Sequence, residues 1–155
     1  MKGNEQVVTH LNTRLAEELT AVNQYFVHAE MCENWGYRRL HEMIFKRSIQ
    51  EMKHAEKLIA RILFLDGIPI VSALNKIHIG SEVSKMHSND QAAETAAIRG
   101  YNESIRLTVE VGDNGTRELL ESILKEEEAH IDQIEVQIVQ IAQLGAQNYL
   151  MEQID

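Results

Sequence analysis

The sequence has very little of the residues that build disulfide scaffolds, rigid loops or membrane spans. Among 155 residues there are one cysteine and one proline, and aromatic residues make up 5%. The single cysteine, Cys32, excludes an intramolecular disulfide and favours a reducing compartment. No apolar run approaches the roughly 20 residues needed to cross a bilayer, and the N-terminus lacks the apolar core of a signal peptide. We therefore expect a cytoplasmic protein that has no membrane partner.

Basic residues are also scarce relative to acidic ones. Fifteen Lys and Arg face 24 Asp and Glu, which gives a formal net charge of −9 at pH 7. This balance argues against nucleic acid as a partner and is compatible with attraction of cations. The length and the 44% hydrophobic content fit one domain over residues 1–155 with a core of its own.

Turn-forming residues occur in a few short segments, and between them apolar residues repeat at steps of three and four. This pattern predicts four long helices and a short fifth helix after Gly145. The third long helix has the weakest pattern, because the internal Gly100 costs roughly 1 kcal/mol relative to alanine. The predicted long helices cover 5–34, 37–65, 82–111 and 113–144.

Connection lengths predict how these helices are arranged. The first two helices and the last two are joined by short turns, so each pair should form an antiparallel hairpin. The 16 residues of 66–81 can run the length of a long helix, since an extended chain covers about 3.3 Å per residue. We predict an all-α, ferritin-like four-helix bundle with one long crossover and a short C-terminal fifth helix.

Two Glu-x-x-His motifs lie on the second and fourth predicted helices, Glu51 with His54 and Glu127 with His130. This spacing places a carboxylate and an imidazole on one helical face. Chance predicts about one such pair in a chain of this composition, so the motifs alone carry little weight. However, the second motif lies 76 positions after the first, and Glu18 has a glutamate at the same offset, Glu94. The shared offset indicates an internal duplication.

These glutamates lie on apolar helix faces and should therefore point into the core. A buried carboxylate costs several kcal/mol unless it is paired or bound to metal, and Arg47 alone cannot neutralise four of them. Two divalent metal ions would neutralise all four carboxylates. Oxygen-rich ligands with one imidazole per metal suit iron or manganese. Taken singly, each residue would be an ordinary ion-paired glutamate or core histidine, but that interpretation does not explain the equal spacing. Tyr25 is either a hydrogen-bond donor to this site or a core tyrosine. The candidate ligands are Glu18, Glu51, His54, Glu94, Glu127 and His130.

The sequence resembles the bacterioferritins over its whole length, through segments 23–26, 34–36, 51–54, 61–65 and 147–150. The resemblance implies two iron ions per subunit, bridged by the residues matching Glu51 and Glu127. Glu18 and Glu94 would be terminal ligands, and His54 and His130 would each bind one iron. The implied activity is oxidation of Fe(II) by dioxygen or hydrogen peroxide. Ferric mineral would then be stored in a hollow shell of 24 identical subunits, with a ferredoxin as a partner for iron release.

Met52 follows Glu51 and points about 100° away from it around the helix. From the residues alone it is a packing methionine. The resemblance instead implies that Met52 is an axial ligand of haem b, which two subunits would share. The implied haem pocket consists of Leu19, Asn23, Phe26, Phe45 and Ile49.

The sequence departs from the family at Lys46 and Gln50, where several bacterioferritins have a histidine and an aspartate that form an extra iron site on the inner surface. Neither residue is a good iron ligand, so we do not expect that site. Asn34, Asp66 and Asp132 resemble polar pore linings, although such residues are also common helix caps and surface residues.

Two other functions fit the same ligands. One is a different di-iron carboxylate enzyme, such as a rubrerythrin-like peroxidase or an oxygen-activating oxidase. The sequence disfavours rubrerythrin, because that family carries a cysteine-ligated iron module that one cysteine cannot build. The other is a storage shell or haem-binding scaffold whose internal metals do not change oxidation state.

Overall fold

The computed structural model describes residues 1–155, which form four long helices, one short helix and no strands. The helices confirm the predicted fold class, and the boundaries of the long helices differ from prediction by one residue at most. None of the helices combines the length and apolar character that crossing a membrane requires. Their bounds are α1 Glu5–Asn34, α2 Arg38–Phe64, α3 Val83–Val111, α4 Asn114–Leu144 and α5 Ala146–Met151.

Local signals explain where the helices begin and end. The Asn4 side chain accepts hydrogen bonds from the backbone N–H groups of Gln6 and Val7, at the start of α1. Gly112 ends α3 with φ of 74°, a left-handed conformation that costs glycine little. Asp113 then caps α4 by accepting the backbone N–H of Thr116. A side-chain acceptor or a glycine therefore stands at each of these termini.

The helices pair as two hairpins, α1 with α2 and α3 with α4, and the hairpins pack through contacts of α1 with α3 and of α2 with α4. The long crossover between α2 and α3 lies along α1. Its backbone bonds to four α1 side chains that are spaced progressively along that helix. These pairs are Ile68 and Ile70 with Asn12, Asn75 with Thr20, His78 with Gln24, and Gly80 with His28.

Two apolar clusters fill the bundle, one toward each end. The first contains Leu11, Leu58 and Leu120 among its buried residues. The second contains Ile44 and Met86 and is completed by a residue of α5. On α1, α2 and α3, the apolar residues of the two clusters are separated by a buried glutamate. The bundle therefore has a polar layer between two apolar ones.

We expect loss of the α4 cap to destabilise the fold in a pH-dependent manner. Asp113→Ala should lower the free energy of unfolding by about 1 kcal/mol, because the N–H of Thr116 loses its acceptor. Burial raises the pKa of Asp113, but hydrogen bonds from Thr116 and the charge of Arg61 outweigh burial and lower it. The stability difference should therefore be full above the unfolded-state pKa of about 4 and shrink as the pH falls below it.

Urea denaturation of the two proteins at matched concentration and at several pH values measures this difference. Asp113→Asn is the matched control, since it keeps one acceptor oxygen for the N–H of Thr116 and removes the charge together with the second oxygen, which accepts the hydroxyl of Thr116. Equal stability of wild type and Asp113→Ala at pH 7 would contradict the assigned cap.

Candidate metal centre

The structure brings all six sequence-predicted ligands together in the polar layer. Each of the four long helices contributes, so the site exists only in the assembled bundle. Every one of these residues is at least 95% buried. They are Glu18 on α1, Glu51 and His54 on α2, Glu94 on α3, and Glu127 and His130 on α4.

The geometry around the two histidines is nearly identical. Nδ1 of His54 lies 2.7 Å from Glu127 Oε1 and 3.5 Å from Glu18 Oε2. Nδ1 of His130 lies 2.7 Å from Glu51 Oε1 and 3.5 Å from Glu94 Oε1. Each histidine therefore faces the Glu-x-x-His glutamate of the opposite hairpin. The 76-residue offset in the sequence corresponds to an approximate two-fold arrangement in space.

The donor atoms fall into two overlapping groups, each with ligand atoms within 4.8 Å of one another. One group contains Glu18 and His54, the other Glu94 and His130, and both contain the same two glutamates, Glu51 and Glu127. Each of the six has at least one inward-facing atom that lacks a hydrogen bond of ordinary geometry. Buried unpartnered oxygens of this kind are suited to hard divalent cations. The residues present therefore fit two metal ions that share two carboxylates.

Electrostatics within the cluster favour proton retention when no cation is bound. Burial and the charges of Glu18, Glu94 and Glu127 raise the pKa of Glu51 well above its usual range. Burial and the charges of Glu18 and Glu94 do the same for Glu127. Burial lowers the pKa of His54, but hydrogen bonds to Glu127 and Glu18 outweigh it and raise it to about 11. A binding cation would replace these protons.

Two buried tyrosines donate hydrogen bonds to two of the site glutamates, Glu94 and Glu18. The hydroxyl of Tyr25 donates to Glu94 Oε1 at 2.5 Å, and the hydroxyl of Tyr101 donates to Glu18 Oε1 at 2.5 Å. Tyr25 is therefore both a core residue and a donor to the site, although its partner lies in the opposite hairpin. Sequence reasoning missed Tyr101, yet the signal was available, since Tyr101 lies 76 positions after Tyr25.

Arg47, the cationic residue that the sequence places one turn before Glu51, pairs with residues other than the site glutamates. Its Nη1 lies 3.6 Å from Asp90 Oδ2, and its Nη2 donates to the side chain of Gln133. Nδ1 of His28 lies 2.9 Å from Asp90 Oδ1, so the charge of Arg47 is balanced within a separate buried cluster. The site carboxylates consequently have no arginine or lysine ion pair.

A cavity of about 430 Å³ reaches the site from the side where the crossover lies against α1 and α3. Crossover residues Asn75, Lys76 and His78 line its outer part, and four site glutamates line its inner part. Glu17 also lines this cavity, and burial raises its pKa to about 7. The cavity offers a small ion or molecule a route to the carboxylates.

The predicted haem residues lie on another side of the bundle, where Met52, Phe26, Ile49 and the polar Asn23 are exposed and Leu19 and Phe45 are half-buried. Met52 is 48% exposed, and Leu19 and Ile59 lie beside it in a shallow depression. Phe26 is exposed and packs against Phe45, with 5.4 Å between ring centroids. A thioether and several apolar side chains are therefore available to a flat, apolar group.

The other sequence candidates occupy ordinary positions in the single chain. Lys46 is exposed, and Gln50 is half-buried against His130. Asp66 is exposed and lies 3.3 Å from the N-terminal amine, and Asp132 is exposed on α4. The pore role of these aspartates, and of Asn34, remains a prediction because a pore requires several subunits.

A four-helix bundle with a long crossover and a buried layer of paired carboxylates and histidines defines a ferritin-like protein. Consistent with this, residues 8–144 match the family model of the ferritin-like domain.

The chain is also similar to named bacterioferritins along nearly their whole length. The protein of Rhodobacter capsulatus is 39% identical over 151 residues, which cover 97% of this chain and 94% of that protein. The protein of Brucella melitensis is 38% identical, with 96% of this chain and 92% of that protein covered. The protein of Streptomyces coelicolor is 37% identical and covers 100% of this chain. The chain belongs to the bacterioferritin family.

Because the two tyrosines make matching contacts, we expect their removal to have matching effects. Tyr25→Phe and Tyr101→Phe should each lower the free energy of unfolding of the metal-free protein by about 1–3 kcal/mol, since each leaves a buried carboxylate oxygen without its donor. Urea denaturation at pH 7 measures the loss. Tyr37→Phe is the control, because the half-buried Tyr37 hydroxyl makes no hydrogen bond. A loss no larger than that of the control would contradict the assigned bonds.

Proposed function

We propose that this chain is an iron-storage ferroxidase built as a single ferritin-like di-iron domain over residues 1–155. It oxidises Fe(II) to Fe(III) with dioxygen or hydrogen peroxide, and the ferric product is deposited as mineral in a hollow oligomeric shell. Membership of the bacterioferritin family supports iron storage. The observation that carries the ferroxidase proposal is the pair of overlapping buried ligand groups that share two carboxylates.

In this proposal Glu51 and Glu127 bridge two iron ions, and each ion has one histidine and one terminal glutamate. Glu18 and His54 would bind the first ion, and Glu94 and His130 would bind the second. Four carboxylates balance the charge of two divalent ions while both histidines remain neutral. Two Fe(II) ions together supply two electrons, and solvent supplies two protons, for the reduction of one molecule of dioxygen to hydrogen peroxide or of one molecule of hydrogen peroxide to two of water.

The protein contributes binding, orientation and charge. Hard anionic oxygens favour Fe(III) over Fe(II) and so favour the oxidised product. Tyr25 and Tyr101 hold Glu94 and Glu18 in fixed orientations, which keeps the terminal ligands aimed at the metal positions. The apolar clusters close the two ends of the layer, and cavities reach it beside α1 and beside His130. No separate protein general base is needed.

A storage shell with redox-inactive internal metals remains the alternative function. It would keep the same ligands but would not cycle the oxidation state of the iron. Direct measurement of iron oxidation distinguishes the two.

Haem b shared between two subunits is a further part of the proposal, with Met52 of each subunit as an axial ligand. The exposed thioether within an apolar patch supports this role. When bound, haem would supply a one-electron redox centre. We also propose a homo-oligomer of 24 subunits and a ferredoxin as the electron donor for iron release.

Iron oxidation should depend on the terminal carboxylate of the site. Metal-free protein receives two Fe(II) per subunit anaerobically, oxygen is admitted, and ferric absorbance is followed. We expect Glu18→Ala to lower the initial rate by about tenfold or more, since loss of even an outer-sphere partner of a metal ligand typically costs 10–100-fold. Glu128→Ala is the control, because Glu128 is exposed beside the site glutamate on α4. Equal initial rates for wild type and Glu18→Ala would overturn the ferroxidase assignment.

Haem binding should depend on Met52. Met52→Leu keeps an apolar side chain of similar size and removes the sulfur, so we expect altered reduced-haem absorption and a lower haem content. Met151→Leu is the control, since Met151 is 69% exposed elsewhere on the chain. A reduced spectrum that Met52→Leu leaves unchanged would remove the axial-ligand assignment.

A further inference from the structure

The internal duplication extends beyond the six ligands to the outer side of both histidines. Gln50 and Glu126 also lie 76 positions apart. Oε2 of Glu126 lies 2.5 Å from Nε2 of His54, and Oε1 of Gln50 lies 2.8 Å from Nε2 of His130. Each histidine thus contacts the corresponding residue of the opposite hairpin through the nitrogen that faces away from the carboxylate layer.

The two contacts are alike in geometry but differ in chemistry. When Nδ1 binds a metal, Nε2 carries the proton and donates it to the outer oxygen. That acceptor is an anionic carboxylate for His54 and a neutral amide for His130. A carboxylate acceptor makes the shorter and stronger hydrogen bond and makes the imidazole a better metal donor.

Glu126 and Gln50 differ in charge at a place where the surrounding distances in the two halves match. The inward nitrogens of His54 and His130 have the same 2.7 Å and 3.5 Å distances to their carboxylates. The hydroxyls that bond the terminal glutamates lie at 2.5 Å in both halves. The identity of the outer partner is therefore a chemical difference in direct contact with the two histidines, whose inner distances match.

We propose that Glu126 and Gln50 are positioning residues that make the two metal positions unequal, so that the His54 position binds a divalent cation more tightly than the His130 position. This inference rests on the proposed di-iron function, because it concerns the same two positions. It assigns an order to their filling, with the first ion bound beside Glu18 and His54 and the second beside Glu94 and His130.

Titration of metal-free protein with Co(II), followed by visible absorption and calorimetry, tests this order without measuring turnover. Wild type should bind two Co(II) per subunit in two separated steps. Glu126→Gln gives both histidines an amide partner, and we expect the tighter step to weaken about 10–100-fold, so that the two steps merge. Gln50→Glu gives both histidines a carboxylate, and we expect the weaker step to tighten until the steps merge at high affinity.

The double variant Gln50→Glu with Glu126→Gln exchanges the two partners, and two separated steps should return. Glu128→Gln, which removes an exposed charge next to the site, controls for a general effect of charge and should leave both constants unchanged. Because the exchanges use nearly isosteric side chains at half-buried or exposed positions, the Gln50→Glu arm remains informative if Glu126→Gln folds poorly.

The outcomes separate this inference from the proposed function. Two bound Co(II) ions whose binding constants are unaffected by both single exchanges would overturn the inequality alone. Equal weakening of both steps by Glu126→Gln would also overturn it, since that would indicate a structural role. A wild-type protein that binds no Co(II) at the six-residue site would overturn the di-iron function itself.

Discussion

The burial of four carboxylates in one layer of the bundle is the constraint on which the rest of the structure depends. Each buried carboxylate carries a desolvation penalty of several kcal/mol, and no arginine or lysine is paired with any of them. The fold accommodates them by retained protons and by the hydroxyls of Tyr25 and Tyr101, while the apolar clusters on both sides raise the cost of ionising them. Such a layer makes physical sense as a binding site for cations, whose charge would offset a cost that packing alone cannot.

The approximate two-fold symmetry of the bundle is closest among the six site residues and the two tyrosines that bond to them. At 76 positions apart, the buried residues Arg14 and Asp90 have opposite charges. Arg14 pairs with Glu17, whereas Asp90 pairs with His28. Residues outside the layer have thus diverged to serve local packing, while the ligand distances in the two halves remain matched. Gln50 and Glu126 lie between the matched layer and the diverged residues, and each contacts a site histidine. Their chemical difference can therefore affect the two histidines unequally.

The crossover connects the fold to access to the site. Its backbone bonds to side chains of α1 from Asn12 to His28, so the segment 65–82, which has no regular structure, is held in place by polar contacts rather than by apolar packing. The same segment lines the outer part of the cavity that leads to the glutamates. The connection that establishes the topology of the bundle therefore also shapes the approach to its centre.

The helices and the membership of the six-residue site followed from the sequence by itself. Helices could be predicted because apolar periodicity and capping residues such as Asp113 are local signals. The six residues could be grouped because duplication left a constant offset in the chain. Tertiary structure alone decided that Arg47 pairs with Asp90, that each tyrosine bonds a glutamate of the opposite hairpin, and that Glu126 lies behind His54. These contacts cross between helices, and their partners depend on the relative rotation and register of packed helices, which side-chain packing in the assembled bundle determines.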